Sequence, residues 1–130
     1  MALTVHDWLE GYKSAWEERD PEAAAALFTL DALYREQPYQ APFEGRAGVR
    51  AYWAEVTATQ SGVRFRYGTP IVTADRTVVE WWVTMQNGGA DVTLAGIFLL
   101  RFDSSGLCSD LIEYWHFSEG QVEPYPHWGS

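Results

Sequence analysis

The first third of the chain carries apolar residues at helical spacing. Thr4-Val5-His6-Asp7 has the form of a capping box, and apolar positions recur every three or four residues over residues 5–16. This pattern predicts a first helix that ends near Arg19. Asp20-Pro21 supplies an N-cap and a proline at the first helical position, which predicts a short second helix up to Phe28.

A short strand and a third helix are predicted next. Residues 32–37 alternate between apolar and polar types and stop before Pro38, and Pro42 and Gly45 mark the loop that follows. Helical spacing then returns, and the predicted helix ends before Ser61-Gly62. Its apolar stripe consists of Val49, Tyr52, Trp53 and Val56.

The rest of the chain has the pattern of strands separated by tight turns. Asp75-Arg76, Asn87-Gly88-Gly89 and Asp103-Ser104-Ser105-Gly106 are turn sequences, and Pro70 marks a bend. Strands joined in this way form an antiparallel meander. The predicted strands cover residues 63–67, 77–86, 91–102 and 107–117.

Three helices followed by a sheet give an α+β layout, with the helices on one face of the sheet. We expect a cone in which the three N-terminal helices pack in a strongly curved antiparallel sheet. The hole in such a cone is where a small apolar ligand would bind. Residues 1–130 are expected to form one domain, with an irregular C-terminal tail at residues 118–130 in which Trp128 indicates docking.

The last predicted strand carries an acid where a core strand needs apolar residues. Pleat period places Glu113 on the same face as Leu111, Trp115 and Phe117. A buried carboxylate must be paired, solvated by a cavity or protonated, because an isolated buried charge costs more free energy than a domain has to spare. Glu113 is therefore the first candidate for a functional residue.

Composition narrows the classes of partner. Aromatic residues make up 15% of the chain, with 7 Trp and 7 Tyr, which is more ring surface than a core of this size needs and indicates a cavity or interface lined by rings. The formal net charge is -9 and Lys13 is the only lysine. We therefore expect neither a nucleic-acid partner nor attraction to an anionic membrane.

The other chemistry-bearing residues indicate no metal or cofactor. Cys108 is the only cysteine, which excludes an internal disulfide and a cysteine zinc cluster. His6, His116 and His127 lack the spacing of metal ligands, and no glycine-rich phosphate loop occurs. Neither a signal-peptide pattern nor a long apolar run occurs, so a cytoplasmic location is expected.

The order of elements resembles that of the nuclear transport factor 2-like superfamily, in its SnoaL-like branch. The likeness extends over residues 7–117 and rests on Asp31-Ala32, the loop at residues 38–45 before Tyr52-Trp53, and Glu113-Tyr114-Trp115. Members of this kind include polyketide cyclases, ketosteroid isomerases, scytalone dehydratases, limonene epoxide hydrolases and purely binding domains. The resemblance implies the α+β cone and leaves the function open, because one fold hosts many activities.

The motif match to limonene epoxide hydrolases is partial. The strand tyrosine of that family, its acid-amide position and the proline that follows fall here on Tyr34, Glu36 and Pro38. The water-activating acid of the final strand falls on Glu113. The family's arginine and second acid fall near Trp81 and Val83, which are apolar. The resemblance therefore does not imply epoxide hydrolysis by that route.

These residues form a predicted catalytic set in which Glu113 and Glu36 are acids and Tyr34 is a hydrogen-bond donor. Burial, and the like charge of Glu36, would raise the pKa of Glu113. The alternative is that Glu113 pairs with Arg35, Arg101 or another arginine in a buried bridge without chemistry. The expected ligand-binding residues are Tyr12, Trp16, Trp53, Phe65, Trp81, Val83, Leu111 and Trp115.

The strand at residues 77–86 carries two further predictions. If Trp81 and Val83 face the pocket, Glu80 and Trp82 lie on the outer face of the sheet. The resemblance implies that two such faces pair, and an exposed tryptophan favours an interface over open solvent. We therefore expect a homodimer through the sheet face.

Two functions remain open from the sequence. The first is a cofactor-free isomerase, cyclase or lyase that acts on a small apolar carbonyl compound, with Glu113 or Glu36 as base and Tyr34 or Tyr12 as donor. The second is a non-catalytic domain that binds a small apolar or aromatic ligand or serves in assembly.

Overall fold

The computed structural model describes residues 2–130. It contains three helices, α1 (Val5–Glu17), α2 (Pro21–Ala25) and α3 (Gly45–Thr57), whose apolar faces pack on a single sheet. The predicted α+β class is confirmed. None of the helices within the described range is long and apolar enough to cross a membrane.

Local sequence determines where the first two helices begin. The backbone N–H of Asp7 donates to Thr4 Oγ1 at 3.0 Å and that of Thr4 donates to Asp7 Oδ2 at 3.1 Å, so the predicted capping box is present. The Asp20 carboxylate accepts a hydrogen bond of 3.1 Å from the first turn of α2. This helix ends at Ala25 rather than at Phe28, because Phe28 is already the first residue of a strand.

Seven strands form the sheet. They are β1 (Phe28–Arg35), β2 (Phe43–Glu44), β3 (Gln60–Tyr67), β4 (Ile71–Val72), β5 (Thr77–Asn87), β6 (Ala90–Phe102) and β7 (Cys108–Glu119). Their order is β2-β1-β7-β6-β5-β3, with β4 paired to β5. The two-residue strands β2 and β4 were not predicted, because they are too short to show alternation.

The strand pairing corrects the prediction of an antiparallel sheet. β5, β6 and β7 form the predicted antiparallel meander, but β1 runs parallel to β7, with Tyr34 opposite Leu111 and Arg35 opposite Ile112. The sheet is therefore mixed. Turn sequences predict pairs of consecutive strands only, whereas β1 and β7 lie at opposite ends of the chain.

The shape of the sheet corrects a second prediction. The sheet is an open layer whose path ends at β2 and β3, and it is not strongly curled, so the predicted strongly curved cone is wrong. The core lies between the helices and one face of this layer. Space for a ligand must therefore lie between helices and sheet.

Side chains in β5 alternate as predicted. Trp81 and Val83 are completely buried on the helix side, whereas Glu80 and Trp82 lie on the outer face and are half-buried. The alternation is as predicted, whereas the sequence alone left open which of the two faces points inward.

The C-terminal tail lies against the outer face. β7 continues to Glu119, so the irregular part of the tail begins after it. Trp82 Nε1 donates to the carbonyl oxygen of Val122 at 2.8 Å, and its ring meets that of Trp128 edge-on with centroids 5.7 Å apart. The docking that Trp128 indicated is therefore present within this chain. The tail covers part of the face on which a homodimer was expected, and the homodimer stays a prediction.

Two fully buried tryptophans provide a matched test of the core. Trp8 Nε1 donates to the carbonyl oxygen of Leu27 at 2.9 Å, whereas Trp81 Nε1 has no acceptor among residues 2–130. Trp8→Phe breaks a hydrogen bond, whereas Trp81→Phe removes a donor that is buried without a partner. We expect Trp8→Phe to lower the free energy of unfolding by about 1–3 kcal/mol more than Trp81→Phe, measured by urea denaturation. Equal losses would contradict this assignment.

Candidate functional site

A cavity of about 380 Å³ lies between α1, α3 and the inner face of the sheet. This volume is in the range of sites for small organic molecules. Glu113 lies in its wall and is only 6% exposed, while the exposed side chain of Phe117 lies at the mouth. The cavity therefore brings a buried carboxyl group within reach of a ligand.

A chain of hydroxyl groups leads to Glu113. Tyr34 Oη donates to Glu113 Oε1 at 2.9 Å, and the hydroxyl oxygens of Tyr12 and Tyr34 are 3.2 Å apart. Because the single hydroxyl proton of Tyr34 is given to Glu113, the proton between the two tyrosines comes from Tyr12. The chain thus links α1 through β1 to β7.

The parallel pairing of β1 with β7 brings this acid and its donor together. It places Tyr34 opposite Leu111 on the inner face of the sheet. Glu113 is two residues further along that face and is therefore the diagonal neighbour of Tyr34. An antiparallel arrangement of β1 would have changed which residue of β7 the tyrosine meets.

Burial dominates the electrostatics of Glu113. Desolvation, opposed by the hydrogen bond from Tyr34 and assisted by the charge of Glu36, raises the pKa of Glu113 to about 8. Burial also raises the pKa of Glu36, which lies half-buried in the cavity wall. At neutral pH Glu113 is therefore mostly protonated, with a minor ionised fraction.

Two polar atoms are open to the cavity. Oε2 of Glu113 has no hydrogen-bond partner among the described residues, and part of its surface is accessible from the cavity. The hydroxyl of Tyr52 is likewise unpartnered within residues 2–130 and lies in the same cavity. An acid oxygen and a phenol can therefore contact one bound molecule.

Several of the predicted site residues line the cavity together. They are Glu113, Glu36, Tyr34, Tyr12, Trp16, Trp53 and Trp115. Trp115, a residue of the cavity wall, is paired with Gly96 of β6. Any Cβ at position 96 would clash with the carbonyl oxygen of Tyr114, so glycine allows β6 to lie this close to the strand that carries Trp115.

Four predicted ligand-binding residues lie in the core instead of the cavity wall: Phe65, Trp81, Val83 and Leu111. Two rings of α1 cover two of them, Phe65 and Trp81, on the helix side. The ring centroids of Tyr12 and Phe65 are 5.5 Å apart, and those of Trp16 and Trp81 are 5.9 Å apart. An inward-facing strand residue reaches the cavity only where no helix lies over it.

The sequence analysis did not assign several residues that line the cavity, notably Tyr52, Gln60, Met85 and Leu94. Tyr52 belongs to the predicted apolar stripe of the third helix, and its polar hydroxyl was the available indication of a different role. The amide oxygen of Gln60 accepts a hydrogen bond of 2.8 Å from Trp16 Nε1. This bond fixes one aromatic wall of the cavity.

The structure contains no ion pair at Glu113. Within residues 2–130, no lysine, arginine or histidine lies within salt-bridge distance of its carboxyl group. Arg35 and Arg101 lie at a separate groove, with Arg76 and Asp110. No cluster of three or more His, Cys, Asp or Glu side chains suited to a metal ion occurs in the described part of the chain. Glu113 is therefore held by a phenol and is free to exchange a proton.

Comparison with known proteins identifies the family. The family model described as SnoaL-like domain matches residues 6–110. No curated protein matches the chain significantly.

Solved structures share the fold. A protein with a ketosteroid isomerase-like fold from Catenulispora acidiphila, crystallised in complex with trimethylamine, is 20% identical, with 85% of this chain and 86% of that chain covered and a TM-score of 0.75. SalBIII, an epoxide hydrolase/cyclase-like enzyme with a role in pyran ring formation in the polyether salinomycin, is 18% identical, with 85% and 89% covered and a TM-score of 0.74. A Mycobacterium tuberculosis protein is 16% identical, with 85% and 93% covered and a TM-score of 0.71. At these identities the likeness establishes the fold alone.

The raised pKa of Glu113 predicts how stability depends on pH. Its folded pKa of about 8 exceeds the ordinary glutamate value of 4.5, so between these values the folded state binds more protons than the unfolded state. The stabilisation is complete below pH 4.5 and is lost as pH rises through 8. Urea unfolding from pH 5 to 8 should show a loss of up to about 1.4 kcal/mol per pH unit relative to Glu113→Gln. Glu119→Gln, on the exposed end of the same strand, is the control and should retain the wild-type slope.

The hydroxyl of Tyr34 is predicted to lower the pKa of Glu113, because it donates to the ionised form more strongly than to the neutral acid. Tyr34→Phe should therefore raise this pKa, measured by NMR titration of the ¹³C-labelled side-chain carboxyl groups. Tyr12→Phe, which acts on Glu113 only through Tyr34, should raise it less. An unchanged pKa in Tyr34→Phe would contradict the proposed hydrogen-bond chain.

Proposed function

We propose that this chain, which belongs to the SnoaL-like domain family, binds a small, largely apolar molecule in its cavity and exchanges a proton with it through Glu113. The reaction class is a cofactor-free isomerisation, cyclisation or elimination. The single observation that carries the proposal is the carboxyl group of Glu113, buried and unpaired with any cation of residues 2–130, with Oε2 open to the cavity.

The two oxygens of Glu113 have separate roles in this proposal. Oε1 is held by Tyr34 at 2.9 Å, which fixes the orientation of the carboxyl group. Oε2 is the oxygen that takes a proton from a ligand carbon next to a carbonyl group, or returns one. A general acid–base group is most effective when its pKa is near the working pH, and the pKa of about 8 supports this role.

Tyr52 is the proposed partner of Glu113 in catalysis. Its hydroxyl lies in the cavity without a hydrogen-bond partner among residues 2–130, and it can donate to the ligand oxygen on which negative charge develops. The hydroxyls of Tyr34 and Tyr12 are already engaged with Glu113 and with each other. The donor expected from the sequence, Tyr34, is therefore better suited to positioning the base.

Epoxide opening that relies on an arginine has no support in this chain. The likeness to SalBIII concerns the fold, and no arginine lines the cavity within the described range. The arginine and second acid of limonene epoxide hydrolases would fall near Trp81 and Val83, which are core residues here. Acid–base chemistry by Glu113 does not need those two charged groups.

The second candidate is a ligand-binding domain without catalysis. The protein from Catenulispora acidiphila, which shares the fold, was crystallised in complex with the small molecule trimethylamine, and this supports binding of a small molecule without catalysis. The presence of a single unengaged phenol beside Glu113 also favours this candidate, because efficient enolate stabilisation commonly uses more than one donor.

Hydrogen–deuterium exchange of ligand C–H groups separates the two candidates. Small cyclic ketones are incubated with the protein in D₂O, and loss of their α-proton signals is followed by ¹H NMR, while binding is followed by thermal shift. The wild type should accelerate exchange, Glu113→Gln should not, and Glu119→Gln should match the wild type. Binding without accelerated exchange would overturn catalysis in favour of the binding domain, and no binding of any ketone would contradict a cavity for carbonyl compounds.

A further inference from the structure

We propose that the preferred ligand of the cavity is a small organic cation, an amine or quaternary ammonium compound with an apolar substituent. This inference rests on the proposed function, because it names the ligand class of the same cavity. It is carried by the joint placement of carboxyl groups and aromatic rings around one space, and by the sign of every ionisable side chain in the wall.

The charged residues of the cavity wall are all acidic. Glu36, Glu55 and Glu113 line it, and no lysine, arginine or histidine within residues 2–130 does so. The basic residues of the helices and strands nearby are engaged elsewhere: Lys13 pairs with Glu17 at 3.0 Å and Arg50 pairs with Glu22 at 2.8 Å. An anionic ligand would find no cationic partner here, whereas a cation would meet three carboxyl groups.

Aromatic faces supply the second half of the site. The rings in the wall lie at steep angles to one another: Trp16 and Trp53 at 76° with centroids 5.6 Å apart, and Tyr34 and Tyr52 at 46° with centroids 5.2 Å apart. These rings line the same cavity as the carboxyl groups. The faces of aromatic rings attract alkylammonium groups, and the attraction is strongest where water is excluded.

Glu113 is the counter-ion of this site. A neutral amine that enters takes the proton of the Glu113 carboxyl group: the O–H bond breaks, an N–H bond forms, and the pair becomes an ammonium and a carboxylate. No other reactant is needed. A quaternary ammonium compound cannot accept a proton, so its binding releases the proton of Glu113 to solvent.

None of the groups that face Glu113 supplies positive charge. They are Tyr12 on α1, Tyr34 on β1, Glu36 just after β1, and Tyr52 on α3. Each is a phenol or an acid, and the charge of Glu36 opposes the ionisation of Glu113. The positive charge that would offset the burial of an ionised Glu113 therefore has to come from the ligand.

A pair of probes with the same shape tests the inference. They are 4-(trimethylammonio)benzyl alcohol, which carries a permanent charge, and 4-tert-butylbenzyl alcohol, which is its neutral isostere. Dissociation constants are measured by NMR titration from pH 6 to pH 9. At pH 9 the cation should bind at least about tenfold tighter than the isostere. Below pH 8, each unit by which the pH is raised should increase the affinity for the cation by up to about tenfold, because Glu113 must ionise to pair with it.

The variants locate the effect. Glu113→Gln should remove the pH dependence and weaken binding of the cation, while the dissociation constant of the isostere stays unchanged. Glu119→Gln should behave as the wild type. The ratio of the two probes on the wild-type protein tests the inference even if Glu113→Gln does not fold. Equal binding of both probes, or tighter binding of the isostere, overturns the cation preference but supports a small-molecule cavity. If neither probe binds, both the cation preference and the small-molecule cavity are contradicted. An unchanged pH dependence in Glu113→Gln overturns the role of Glu113 as counter-ion.

Discussion

The site depends on one unfavourable interaction, the burial of the Glu113 carboxyl group in an apolar strand face. Ionised and unpaired, such a group would cost more free energy than a small domain has available. The fold meets this constraint with a phenol rather than a cation, because Tyr34 donates to one oxygen and leaves the other open to the cavity. A cation in place of the phenol would have held the carboxylate permanently ionised and would have lowered its pKa below the range in which it exchanges protons.

Local sequence was sufficient for the parts of the fold that local interactions determine. The capping box at Thr4 and the shared face of Leu111 and Glu113 in β7 followed from residue spacing alone, whereas spacing left open which face of β5 points inward. The parallel pairing of β1 with β7 could not be predicted, since no turn sequence joins them and α3 and the strands β2 to β6 separate them along the chain. Yet this pairing is what brings Tyr34 to Glu113.

Only some of the residues predicted to bind a ligand line the cavity, for a related reason. Strand alternation indicates which side chains face inward, but the position of α1 decides which of these are covered. Tyr12 and Trp16 lie over Phe65 and Trp81 and remove them from the cavity, whereas Tyr52 reaches it from α3. Strand alternation decides whether a residue faces inward, and the helices decide whether a ligand can reach it. Only the first can be inferred from a period of two.

On the outer face of the sheet, a tryptophan contacts the C-terminal tail instead of packing in the core. Trp82 is half-buried because the tail supplies a carbonyl oxygen from Val122 and the ring of Trp128. Two arginines of β3, Arg64 and Arg66, hold the tail through Glu123. Two of the basic residues of this acidic chain thus fix the tail on the side of the sheet opposite Glu113. No basic side chain of residues 2–130 lines the cavity, so in the proposed function the ligand, rather than a cation of the protein, sets the charge state of Glu113.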